Sequence, residues 1–169
     1  MPPIQDAQDW QRKLAALPLE SFDAGETVFA EGTKTGRLLI LKSGAVCIVK
    51  GGSEIARVAD PGAVFGEISA LLDQPHSADV RTLETSQFHV ADPTTLLGQD
   101  PTALLYVTMI LARRLDAANR AFVELKCEIE AGAPPGVIEK TVGRIEGLLS
   151  AIGSGYVKAG AGITMYPFA

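Results

Sequence analysis

Residues 27–90 never hold one hydrophobic pattern for long. Apolar and polar positions alternate with a period of two in six short segments, at 27–29, 37–41, 45–49, 54–58, 78–83 and 87–90. The separators are Gly25-Glu26, Glu31-Gly32, Ser43-Gly44, Gly51-Gly52 and Asp60-Pro61-Gly62. Glycine, proline, aspartate and serine are turn formers, and short alternating runs between such turns build antiparallel sheets rather than βαβ units. The pattern predicts a mainly β fold, an antiparallel jelly-roll barrel with flanking helices. The chain has 169 residues, 47% of them hydrophobic and 21% charged, which suits one folded domain with a small appendage and excludes wholesale disorder.

Helical patterns frame and interrupt the β segments. Ile4, Ala7, Trp10, Leu14 and Leu17 recur at helical spacing after Pro3, predicting an N-terminal helix over 1–17. Phe65-Gly66 is followed by Glu67-Ile68-Ser69-Ala70-Leu71-Leu72, which loses the period of two before Gln74-Pro75. A helix start set into a barrel exposes unpaired amides, which an anion would satisfy; a plain β-corner turn is the other reading, and both stay open here. From 102 to 130 the stripe Val107, Leu111, Leu115, Ala118, Phe122, Leu125, Ile129 advances by alternating threes and fours, as in a coiled-coil seam. The expectation is a long C-terminal helix over 102–131, docked on its own barrel (18–101) at first and on a second copy of the chain further along. Pro134-Pro135-Gly136 breaks it, and 132–169 should hold a short helix, with Val137, Ile138, Val142, Ile145, Leu148, Leu149 and Ile152 on its apolar side, then a Gly-rich surface tail.

Several function classes find no support. Fifteen basic against twenty acidic residues give a net charge of −5, and Lys140, Arg144 and Lys158 do not form a phosphate-tracking face, so no DNA partner is expected. The longest apolar stretch, 103–112, is half of what a bilayer span needs, so no membrane partner is expected either. The N-terminus lacks a basic and an apolar signal region, and a cytoplasmic location is the simplest reading. Cys47 and Cys127 are too few for a disulfide framework or a zinc site and read as buried thiols. His76 and His89, with no clustered carboxylates, offer neither a metal site nor a catalytic arrangement, and His89 reads as structural. No enzyme, cofactor or metal is expected.

Taken together, Phe29-Ala-Glu-Gly32, Leu38–Val46, Phe65-Gly-Glu-Ile-Ser-Ala-Leu-Leu72 and His76-Ser-Ala-Asp-Val80 resemble a cyclic nucleotide-binding domain in order and spacing, over about residues 17–130. The resemblance implies cAMP or cGMP as ligand, held by Phe65, Gly66, Glu67, Ile68, Ser69, His76, Ser77 and Ala78. In such domains the cyclic phosphate sits at the start of the short helix, here Gly66–Ser69. A glutamate matching Glu67 holds the ribose hydroxyl, and positions matching Ser77 and Ala78 assist the phosphate through a hydroxyl and an amide. The long helix covers the base and moves on binding.

One position departs from the family pattern, because His76 stands where relatives carry an arginine. Arginine presents a permanently charged fork to phosphate; histidine is shorter and only partly protonated near neutral pH. The nearby Arg81 lies on the strand with doubtful reach into the pocket. Relatives that regulate transcription carry a winged helix-turn-helix after the long helix, whereas 39 residues follow Glu130 here. The leading expectation is a stand-alone module that senses cAMP or cGMP and signals through its C-terminal helix to a protein partner, as a homodimer along Val107 to Ile129. The alternative is a degenerate domain serving as a dimerisation or interaction scaffold.

Overall fold

The computed structural model describes residues 7–132 and 134–151, so the first turn of the predicted N-terminal helix, Ile152 and the Gly-rich tail lie outside the described residues. Two four-stranded antiparallel sheets face one another. The first has the order β1 (Leu19–Phe22), β8 (Ser86–Ala91), β3 (Leu38–Ser43), β6 (Val64–Phe65). The second runs β2 (Thr27–Phe29), β7 (Asp79–Thr82), β4 (Val46–Lys50), β5 (Ser53–Val58). This is the mainly β, jelly-roll type of architecture that the turn pattern predicts, with one correction: the barrel is not closed. The edge strands β6 and β2 are two and three residues long, too short to ladder from one sheet to the other.

Strand β3 shows how the layers are built. Its Leu38-Leu39-Ile40-Leu41 run is buried throughout because both faces of the first sheet are covered, which replaces alternation with a continuous apolar run. Leu39 and Leu41 point between the sheets into a core with Phe29, Val46, Phe65, Val80 and Phe88. Leu38 and Ile40 point the other way, toward Trp10, Leu14, Ala103, Val107 and Ile110 of the helices. At the turn into β4, Gly44 has φ +100°, and a Cβ there would lie 2.3 Å from the Ser86 hydroxyl oxygen, so this close approach of backbone to backbone requires glycine.

The helices cover the outer face of the first sheet. Helix α1 (Ala7–Ala15) lays Trp10 against Tyr106 with ring centroids 4.5 Å apart, and Lys13 pairs with Asp100. Helix α4 (Pro101–Glu130) starts on that same Asp100, whose side chain accepts from the amides of Thr102 and Ala103 at 3.0 and 3.2 Å. The sequence reading lacks three elements, β1, β6 and α3 (Pro93–Gln99). The signal for α3 was available: Asp92 caps it by accepting from Thr95 at 2.7 Å and Pro93 opens it, the same Asp-Pro pair that opens α4. Helix α5 (Pro135–Ala151) turns back after Gly132 and packs on α4 and on β5. Of the cysteines, Cys47 is buried in β4 as expected, but Cys127 is exposed, because α5 covers a neighbouring face of α4. Among the described residues no helix is long and apolar enough to cross a membrane, and no group of His, Cys, Asp and Glu could hold a metal ion.

Candidate nucleotide-binding site

Between β6 and β7 the chain makes a compact cassette. Gly66 precedes α2 (Glu67–Leu72) with φ +88°, and a Cβ there would lie 2.6 Å from the Arg37 carbonyl oxygen and 3.2 Å from the Phe29 ring. Only glycine passes through this gap without strain. The helix closes on itself: Ser69 Oγ donates to the Gln74 carbonyl at 2.5 Å, and the Gln74 amide donates to the Ser69 carbonyl at 3.1 Å. Asp73, in the left-handed region at φ +53°, is held by Lys34.

The cassette turns Glu67 inward. Its side chain is 4% exposed and accepts a hydrogen bond from Arg114 Nη1, while Arg114 Nη2 donates to the Val64 carbonyl at 3.1 Å. Burial pushes the Glu67 carboxyl above its ordinary range, and the charge and hydrogen bond of Arg114 pull against that push. Arg114 sits in the middle of α4, so one guanidinium ties the long helix to both the cassette and the strand before it. Sequence reading missed Arg114, because its partner is 47 residues away and nothing local marks it.

The eight residues that the sequence singles out, Phe65 to Ser69 and His76 to Ala78, line one cavity of about 250 Å³. Its remaining wall is apolar, from Ile48, Ile55, Ala56 and Val58 among others, with Lys50 and Arg114 contributing cations. Arg81 is not on that wall; it is exposed and pairs with Asp79 at 2.5 Å. A wider groove of about 650 Å³ runs beside Leu17, Val90 and Leu96, but its charged groups are committed: Arg37 pairs with Glu20, and Asp92 and Asp100 cap helices.

His76 is built into the cavity wall. Its ring stacks on Phe29 at 4.1 Å between centroids, and Nε2 lies 2.9 Å from Thr35 Oγ1. The His76 amide donates to the Thr33 carbonyl at 2.7 Å, and its carbonyl accepts from Gly32 at 2.9 Å. Burial holds the imidazole below its ordinary value of 6.5, which favours the neutral ring at pH 7. His89 is likewise buried, in β8, and likewise lowered, first by burial and then by Lys42.

Comparison with known proteins agrees with this geometry. Residues 19–98 match the family model for the cyclic nucleotide-binding domain, and this segment of the chain belongs to that family. A cGMP-dependent protein kinase of Eimeria tenella is 39% identical over 69 residues, covering 41% of this chain and 7% of the kinase. The CRP-like cAMP-activated global transcriptional regulator of Mycobacterium tuberculosis is 30% identical over 111 residues, covering 62% of this chain and 50% of the regulator. The chain therefore spans half or less of the length of these two relatives. The catabolite activator protein of Thermus thermophilus superposes with a TM-score of 0.58 at 22% identity, over 88% of this chain and 82% of that one, a likeness of fold.

The neutral His76 has a consequence for stability. Its folded pKa lies below 6.5 while the unfolded chain keeps the ordinary value, so the unfolded state takes up the proton first as pH falls. The contribution is complete above that value and is lost as pH drops through and below it. The melting temperature should fall between pH 7 and pH 5.5, and His76→Gln, which can still bond Thr35 but does not titrate, should show a smaller fall; equal falls in the two proteins would contradict the buried neutral imidazole.

Proposed function

We propose that this chain is a cyclic nucleotide-binding regulatory module, acting in the cytoplasm, that takes cAMP or cGMP in the cavity beside α2 and signals through α4. The observation that carries the reading is Glu67: a carboxylate buried at the cavity wall and held by a residue of the long helix. In the family's mode of binding the ribose hydroxyl approaches that glutamate, the phosphate approaches the backbone at Gly66 to Ser69, and Ser77 and the Ala78 amide assist it. A ligand hydroxyl at Glu67 must share the carboxylate with Arg114. Any difference in ligand affinity between two positions of Arg114 then becomes a bias on α4, which is the thermodynamic content of signalling. The protein acts by binding and needs no catalytic group of its own.

Isothermal titration with cAMP and cGMP should give a Kd on the order of 1–100 μM for at least one of them. Glu67→Gln should weaken that binding by roughly 10- to 100-fold, the effect of losing one charge-assisted hydrogen bond. Affinity should be equal at pH 7 and pH 8.5, since His76 is neutral at both. Weakening at the higher pH would instead make protonated His76 the phosphate partner, and silence with both nucleotides would leave the interaction scaffold as the function.

The same reading includes self-association. Leu115, Phe122 and Ile129 are 63%, 69% and 58% exposed and recur every seven residues along α4, on a face that neither the sheet nor α5 covers. An exposed apolar stripe with this repeat suits a second copy of the same helix. Light scattering after size exclusion should give the mass of a dimer for the protein and of a monomer for Phe122→Glu; a monomeric parent protein would contradict this arrangement.

A further inference from the structure

With His76 neutral and turned to Thr35, the fork of charged donors expected near Ser77 is missing, and a cyclic phosphodiester would bring a single negative charge there. We propose, on the basis of the cyclic nucleotide reading above, that Lys50 is the residue that pairs with the ligand's phosphate. Lys50 ends β4, lines the cavity, and reaches over to donate from Nζ to the Ser77 carbonyl at 3.0 Å. It therefore already stands on the His76–Ala78 segment, though 27 residues away in sequence.

The surrounding charges single it out. Arg114 is paired with Glu67, Arg81 with Asp79, Lys34 with Asp73 and Arg57 with Glu54. Lys50 has a neutral carbonyl as its partner among the described residues. The Glu31 carboxylate beside this turn accepts from the Gly51 amide at 3.0 Å. Apart from the Glu67–Arg114 pair, Lys50 is the one charged side chain lining the cavity among the described residues, and its positive charge suits the one negative charge of a cyclic phosphodiester. An ammonium has three donors, so Lys50 can hold an anion without releasing the Ser77 carbonyl. Its side chain is exposed and flexible, so redirecting it disturbs no packing.

The test is titration of cAMP and cGMP into the full chain and into Lys50→Gln and Lys50→Arg. Glutamine keeps a polar N–H donor on a side chain shorter by one atom and removes the charge; arginine retains the charge. The expected result is binding weakened roughly 10- to 100-fold in Lys50→Gln, kept within a few-fold in Lys50→Arg, with the melting temperature unchanged in both. The parent protein's affinity should also fall with added salt while that of Lys50→Gln falls less. Binding by the parent and by Lys50→Gln with equal affinity overturns the role of Lys50 and leaves the cyclic nucleotide reading standing. Absence of binding in the parent overturns both.

Discussion

A carboxylate taken out of water must be compensated, and most of the site's geometry follows from how this chain compensates Glu67. Without Arg114, burial would drive Glu67 to take up a proton, and the acceptor at the cavity wall would be lost. Arg114 pulls against that push, and in doing so the helix that carries it is fixed over the cassette and against the Val64 carbonyl. A buried ion pair of this kind adds little net stability against an apolar replacement, while removal of one partner costs about 3–5 kcal/mol. Its effect is to couple positions: α4 and the cassette cannot shift independently.

The packing around the pair supports that coupling. The first half of α4 is anchored by Ala103, Val107 and Ile110 in the helix-side core, with Asp100 and Lys13 securing its start. Beyond Arg114 the helix leaves the sheet and meets α5, where Ala121 is buried and the Thr141 hydroxyl donates to Glu128 at 2.6 Å. A change at Arg114 is thus passed to a segment whose apolar stripe faces outward. The proposed phosphate partner Lys50 reaches the same cavity from β4, at Ser77, whereas Arg114 reaches it from α4, at Glu67.

How much of this was legible in the sequence depended on distance along the chain. The strands could be read because their turns demand glycine locally, as at Gly44, and the cassette could be read because Gly66 and Glu67 stand together in one short segment. Strand β3 was found by its apolar run, but the burial of both its faces is a property of the layers. Arg114 and Lys50 were invisible for the same reason: they reach the cavity from elements 47 residues beyond Glu67 and 27 residues before Ser77. The state of His76 could not be read at all from its identity, since stacking on Phe29 and burial decide whether the ring carries charge. Asp92-Pro93 is a local helix start of the same kind as Asp100-Pro101, but α3 is only seven residues long and shows little periodicity of its own.

The central claim is that occupancy of the cavity is felt by α4 through the Glu67–Arg114 pair. Amide hydrogen exchange over Pro101–Glu130, with and without saturating cAMP or cGMP, measures this directly, because it reports local opening segment by segment. The account predicts changed protection on either side of Arg114 when the ligand binds, and loss of that change in Arg114→Gln even at ligand concentrations that saturate it. Protection that changes only in the cassette, with α4 exchanging identically in both states, would contradict it.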